Sequence, residues 1–292
     1  MVNILITGAD GQLGSEIRKL AFLYKEFNFI YTDISSLDIT NLNNLDSFFS
    51  NKGIQYIINC AAYTNVDKAE TEKEKAHSIN VLAVKNLAQI SSKYNSKIIH
   101  ISTDYVFDSS SQNFPFKETD MPVAESAYGY SKLLGEKELI NYKNSIIIRT
   151  SWLYSNFGHN IFKTIVRLAR ERKELNFVFD QIGTPTYAGD LASAIVKVIE
   201  HSESNNTFLS GIYHFSNEGV CSWYDFAMVV VKMLKFDCRV MPIETKDYPL
   251  PAKRPYYSVL NKSKIRESFG IKIPHWSDGL ERCINQYLED KV

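Results

Sequence analysis

Between the apolar run Val2–Thr7 and a helical pattern beginning at Gln12 lies Gly8-Ala9-Asp10-Gly11-Gln12-Leu13-Gly14. Three spaced glycines joining a strand to a helix commit the chain to a β-α-β start. They allow the tight turn, a close backbone approach to a ligand, and close packing of helix on strand. The first half keeps this rhythm. Strand-like runs at Phe29–Thr32, Tyr56–Cys60, Lys97–Thr103 and Ser145–Thr150 alternate with helical patterns at Gln12–Tyr24, Asn41–Asn51, Lys73–Lys93 and Tyr128–Asn141. The runs are apolar throughout, as for parallel strands covered on both faces. In the third helical pattern Ile79, Leu82, Ala83, Asn86, Leu87 and Ile90 fall on one stripe. The expected class is α/β: a Rossmann-like doubly wound parallel sheet, with ligands at the C-terminal edge of its strands.

After about Trp152 the pattern changes. Helical stretches at Asn160–Arg172, Leu191–His201 and Trp223–Lys235 are separated by Gly, Pro and aromatic loops, with a short strand-like Gly211–Phe215. Pro242, Pro249, Pro251 and Pro255 mark an irregular region before a last helix around Asp278–Leu288. Residues 1–152 are therefore expected to form a dinucleotide-binding domain. Residues 153–292 would form a smaller mixed α/β substrate lobe, with some strands and helices free to return to the first domain. No internal repeat or linker separates the two, so they are expected to pack together.

Composition removes several classes. With 33 Lys plus Arg against 33 Asp plus Glu, the 292-residue chain lacks the basic excess of a nucleic-acid binder. A hydrophobic share of 45% argues against disorder. No stretch approaches the ~18 uninterrupted apolar residues of a membrane span. The chain opens on a strand-like run without a basic leader, so a cytoplasmic location is expected. Cys60, Cys221, Cys238 and Cys283 are too scattered for a metal cluster or a disulfide framework, and Cys60 reads as a buried small hydrophobe.

The glycine turn sets Gly8, Asp10, Gly11, Gln12, Leu13 and Gly14 beside a helix N-terminus, whose unpaired N–H groups suit a diphosphate. Alone, it fits any glycine-rich turn. Asp33 strengthens the case by ending the second strand about 20 residues on, where a carboxylate can accept from an adenosine ribose. Asp38 and Ile39 follow where an adenine would be flanked. Ala61, Ala62 and Tyr63 end the third strand with little bulk to block a ligand. The expected cofactor is NADH or NADPH. An acidic Asp33 repels a 2′-phosphate and tilts the choice towards NADH, with Lys25 and Arg18 the nearest cations that could offset it.

Tyr128-Gly129-Tyr130-Ser131-Lys132 places a tyrosine and a lysine on one helix face, while Tyr130 faces elsewhere. An adjacent ammonium would lower the tyrosine's pKa towards useful acid–base chemistry. Upstream, Ser102-Thr103-Asp104 ends the fourth strand, where Thr103 can hold a substrate carbonyl.

Thr, then Tyr, then Lys, following a GxxGxxG loop, resembles the extended, sugar-nucleotide branch of the short-chain dehydrogenase/reductase superfamily. Ala61-Ala62-Tyr63-Thr64-Asn65-Val66-Asp67-Lys68-Ala69-Glu70, Ser102-Thr103-Asp104-Tyr105-Val106-Phe107-Asp108 and Tyr128-Gly129-Tyr130-Ser131-Lys132-Leu133-Leu134-Gly135-Glu136 are similar to the dTDP-4-dehydrorhamnose reductase family. So are Arg149–Tyr154, Asp180–Thr186 and Arg254-Pro255, so the resemblance spans nearly the whole chain. It implies NAD(P)H-dependent reduction of the 4-keto group of dTDP-6-deoxy-L-lyxo-4-hexulose to dTDP-L-rhamnose. Tyr128 would be the proton donor, Lys132 its electrostatic partner and Thr103 the carbonyl-orienting hydroxyl; Tyr128 and Lys132 would also touch the cofactor. Thr103, Asp104, Tyr128, Trp152, Asn160 and Arg254 would contact the sugar nucleotide, Trp152 as a flat apolar wall and Arg254 at the diphosphate.

Some members of that family bind Mg2+ through glutamates at a homodimer interface. Glu16 corresponds to one and Asp190 stands where another would be, but the C-terminal partner cannot be placed. Mg2+ and a homodimer are left open, and no metal ligand is assigned. A 4,6-dehydratase would need an acid–base pair after the threonine, and Asp104 is followed by Tyr105 instead. Two alternatives stay open: a reductase of a different nucleotide-linked 4-keto-deoxysugar, and a non-catalytic cofactor-binding subunit.

Overall fold

The computed structural model describes residues 1–107 and 112–290, so Asp108 of the quoted motif lies outside the described residues. Strands β1 (Val2–Thr7), β2 (Phe27–Tyr31), β3 (Ile54–Asn59), β4 (Lys97–Thr103) and β5 (Ser145–Thr150) are joined by a late strand, Gly211–His214, into one six-stranded sheet. All its pairings are parallel, and the order runs from Gly211–His214 through β5, β4, β3 and β1 to β2. The chain moves outward from β1 to β2, then crosses back to β3 on the other side of β1. That reversal leaves a crevice above the C-terminal ends of β1 and β3, where open α/β sheets take ligands.

Alternation along the strands explains their apolar runs. Ile4 and Ile6 enter the core shared with α1 (Gln12–Leu20) and α7 (Ala188–Asn205). Leu5 joins the opposite core with Leu45 of α2 (Leu42–Phe49) and Leu87 and Ile90 of α4 (Ala83–Tyr94). Both faces are covered, so polar alternation would place unpaired groups in a core.

The expected continuous helix over Lys73–Lys93 is corrected. α3 (Lys73–His77) passes into a π turn, Ser78–Leu82, before α4 begins. The wider turn breaks the helical stripe: Leu82 is exposed, and Asn86 donates to the carbonyls of Ile39 and Thr40. The first helix also ends early, at Leu20, and continues as a 3-10 turn, Ala21–Leu23.

The second half builds a separate core from α6 (Ile161–Glu171), α8 (Trp223–Met233) and α10 (Trp276–Glu289). Gly211–His214 instead extends the first sheet, and α7 and α9 (Ser263–Phe269) join the core on its face. Pro242 lies within a strand, Arg239–Ile243, that pairs with Glu174–Val178 in a two-stranded ladder. Both of its strands are edges, so a residue without an N–H is tolerated there. Among the described residues no helix is long and apolar enough to cross a membrane.

Candidate active site

The crevice is a cleft of about 690 Å³. At its floor Gly8 adopts φ +64°, and a Cβ there would stand 2.6 Å from the backbone nitrogen of Ala61. Only glycine lets the first turn lie this close to the end of β3. Gly11 precedes α1 in extended conformation, and no side chain caps the helix. The first amides of α1 are thus left for a ligand, together with the dipole's positive end. Gln12 lines the cleft, and its buried Oε1 has no partner.

At the rim, the Asp33 carboxylate accepts from the N–H groups of Ile34 at 2.8 Å and Asp10 at 3.2 Å. Asp38 Oδ1 accepts from the Thr40 N–H and hydroxyl. Leu13, Asp38, Ile39, Ala61 and Ala62 line the same cleft. A glycine cradle, an uncapped helix, an orphaned amide oxygen and a fixed rim carboxylate fit a dinucleotide. Three expected contacts stand away from the cleft lining. Asp10 is exposed and pairs with Arg18 at 3.2 Å; Gly14 is buried against Ala9. Tyr63 turns its hydroxyl to Glu72, while its N–H donates to Asn80 Oδ1.

The catalytic candidates come from the end of β4 and the start of α5 (Ala127–Leu139). Ser126 caps α5 by accepting from the Gly129 N–H at 3.1 Å. A Cβ on Gly129 would stand 2.2 Å from the Tyr105 carbonyl oxygen. Glycine within the Tyr-Gly-Tyr-Ser-Lys run therefore lets the helix press on the turn after β4 and bring Tyr128 to Thr103. Thr103, Asp104, Tyr128 and Lys132 all line the cleft, and Tyr130 is exposed. The Thr103 hydroxyl donates to Asp104 Oδ1 at 3.1 Å and accepts from the Tyr105 N–H at 3.2 Å, and its nearness favours the charged form of the Tyr128 phenol. The Tyr128 ring meets Tyr105 edge-on, with centroids 5.6 Å apart.

The electrostatics correct the sequence expectation. Burial pushes the Tyr128 phenol up to about 12; the nearby Thr103 hydroxyl opposes this and the Asp104 charge adds to it. Desolvation outweighs any lowering by Lys132, whose ammonium is turned to other partners. Its Nζ donates to the Ile101 carbonyl at 2.7 Å and lies 3.4 Å from His100 Nε2. Burial pushes Lys132 down to about 8, against the attraction of Glu136. Burial also pushes Asp104 up to about 6. Glu136 accepts from Ser102 at 2.5 Å and from Arg149 Nη2 at 2.6 Å in a fully buried pair. That pair fixes the catalytic face of α5 against β4 and β5.

Towards the second lobe, Trp152 adopts φ +50° and its indole stacks on that of Trp223. The expected single apolar wall is therefore a two-ring stack, and both rings line the cleft. Asn160 also lines it, but its side chain caps α6 and donates to the Ser155 and Phe157 carbonyls. Arg254 is outside the lining: it holds Asp67 at 2.7 Å and the Ala252 carbonyl at 3.0 Å. Cys60 is partly exposed in the cleft wall, correcting its reading as a core residue. Trp223 and the buried Asn80, which ties Tyr63 to Ser131, escaped sequence reasoning because their roles depend on distant partners.

Glu16 is buried in α1, and Asp190 is held by Asn217 and by Arg282, each at 2.6 Å. Among the described residues, no group of three or more His, Cys, Asp or Glu side chains could hold a metal ion.

This sheet order, with a glycine cradle at its reversal and a Thr–Tyr–Lys set at the next strand end, is the Rossmann-like architecture of the extended short-chain dehydrogenases/reductases. A dTDP-glucose 4,6-dehydratase from Bacillus anthracis shares the fold, with a TM-score of 0.81 at 20% identity. The RmlD substrate binding domain matches residues 2–289, and the chain belongs to that family. A dTDP-4-dehydrorhamnose reductase of Aggregatibacter actinomycetemcomitans is 43% identical over 99% of this chain and 100% of its own length. A solved dTDP-4-dehydrorhamnose reductase from Clostridium acetobutylicum has a TM-score of 0.92 at 40% identity, covering 98% of this chain and 100% of that one. Another, from Bacillus anthracis in complex with NADP, has a TM-score of 0.92 at 37% identity with the same coverage.

Proposed function

We propose that this chain reduces the 4-keto group of dTDP-6-deoxy-L-lyxo-4-hexulose to give dTDP-L-rhamnose, using NADH or NADPH. The observation that carries the reading is the meeting of Thr103, Tyr128 and Lys132 in the same cleft as the Gly8–Gly11 cradle. Relatives named dTDP-4-dehydrorhamnose reductase, alike over the whole chain, supply the substrate class.

Gly8, Gly11 and the first amides of α1 would hold the diphosphate, Asp33 the adenosine ribose, and Lys132 the nicotinamide ribose. Reduced nicotinamide, when bound, supplies the hydride. Thr103 holds the ketone oxygen beside Tyr128, and Tyr128 donates its O–H proton to that oxygen as the C4 hydroxyl forms. A phenol held at about 12 stays protonated through the neutral range, so the donor form is always loaded. Lys132 carries its charge below about 8 and offsets the negative charge left on the phenol oxygen. The Trp152–Trp223 stack closes the cleft on the substrate side and limits water.

The test is cofactor oxidation with purified protein. Absorbance of the reduced cofactor should fall only when the 4-keto sugar nucleotide is supplied, with dTDP-L-rhamnose as product. Tight cofactor binding without oxidation would favour a non-catalytic subunit, and turnover of another 4-keto-deoxysugar alone would reassign the substrate.

A further inference from the structure

Beneath the cleft, three buried side chains from three neighbouring strands lead to Lys132. The Thr7 hydroxyl donates to Asn59 Oδ1 at 2.7 Å, and Asn59 Nδ2 lies 2.9 Å from His100 Nδ1. His100 Nε2 in turn lies 3.4 Å from Lys132 Nζ. None of the four is more than 2% exposed. A neutral imidazole has one N–H and one lone pair, and an amide has a donor end and an acceptor end. With Nδ2 donating to Nδ1, the ring proton stands on Nε2 and faces the lone pair of an amine. With the amide turned over, Oδ1 accepts from Nδ1–H, and Nε2 offers its lone pair to an ammonium. The same heavy-atom positions serve both arrangements.

We propose that His100, oriented by Asn59 and Thr7, is a positioning residue that accommodates Lys132 as ammonium and as amine, so the lysine can release and regain a proton while buried at the floor of the cleft. The inference rests on Tyr128 as proton donor. Once Tyr128 has passed its proton to the substrate oxygen, water in the cleft relays one from the ammonium to the phenolate, since Nζ itself faces Ile101 and His100. The resulting amine accepts from His100 Nε2–H, and solvent water returns the proton after product leaves.

The titratable groups acting on Lys132 are Glu136 from α5 and Cys60 from beyond β3, with His100 of β4 at 3.4 Å; Glu136 is paired to Arg149 of β5, and Tyr128 stands one helical turn back on α5. Burial and the neighbouring ammonium keep His100 well below its ordinary value, so the ring changes tautomer and not charge. Lys132, pushed down to about 8, exchanges between its two forms within reach of neutral pH.

Two measurements test this. In cofactor-free protein carrying 15N-histidine, the ring nitrogens of His100, assigned with His100→Gln, should exchange tautomer with a midpoint at about pH 8. The exchange should vanish in Lys132→Met. A single tautomer from about pH 6 to about pH 10 would overturn the proposal. In turnover, His100→Phe should move the upper limb of kcat/KM down by about one pH unit, because the ammonium loses its acceptor. His100→Gln, whose amide offers either end, should restore it; an unmoved limb with lower kcat would mean a structural role only and would also overturn the proposal. The resonance measurement needs no substrate. Tautomer exchange in a protein that never turns over would sink the reductase reading alone, and a fixed tautomer in an active enzyme would sink this one alone.

Discussion

The indole of Trp152 lies flat on that of Trp223, with ring centroids 3.5 Å apart and planes 7° from parallel. Trp152 follows β5, whereas Trp223 opens α8 in the second lobe, so the stack joins the sheet edge to the lobe that closes over it. Trp223→Ala should raise KM for the sugar nucleotide up to about tenfold while cofactor affinity holds. A stacked aromatic pair contributes about 0.5–1.5 kcal/mol beyond its buried area, which sets that scale. Initial-rate kinetics with each substrate varied would check it.

Tyr128→Phe should lower kcat by about 10²–10⁴ and leave the cofactor dissociation constant unchanged, since the hydroxyl acts on the proton and not on the dinucleotide. Cofactor fluorescence titration beside steady-state rates separates the two. An unchanged kcat would remove Tyr128 from its role.

Asp33 is pinned by the N–H groups of Asp10 and Ile34, so its carboxylate cannot swing away from a 2′-phosphate. Asp33→Ser removes that charge and frees both donors for phosphate oxygens. The ratio of kcat/KM for NADPH over NADH should rise by about tenfold or more. A ratio that stays put would dismiss Asp33 as the ribose contact.

Glu16 is buried with its Oε1 unpartnered, and burial pushes its carboxyl from 4.5 up to about 7. A carboxyl whose folded pKa is raised favours the fold while protonated. That stability is fully present below about 4.5 and is lost as pH rises through about 7. Glu16→Gln should therefore raise Tm at pH 8 by several degrees and change it little at pH 5, measured by thermal unfolding at the two pH values.

Much of the site was legible in local sequence. The cradle, Asp33, Thr103, Tyr128 and Lys132 are set by short-range rules: a glycine turn between strand and helix, a strand end, and i to i+4 spacing. Residues whose function depends on a distant partner were not. Arg254 reads as a phosphate fork until Asp67 takes its guanidinium, and Trp223 has no sequence neighbour that hints at Trp152. The π turn at Ser78–Leu82 was hidden because its apolar residues still match a helical stripe.

By itself the sequence determined the alternating sheet, the position of the ligand crevice and the order of the reacting groups, since periodicity and turn chemistry act over a few residues. Tertiary structure decided the electrostatics. How deeply Tyr128 and Lys132 are buried, and that the lysine turns to Ile101 and His100 in place of the phenol, depends on strands far apart in the chain. Desolvation there outweighs the local ammonium effect that spacing alone suggests.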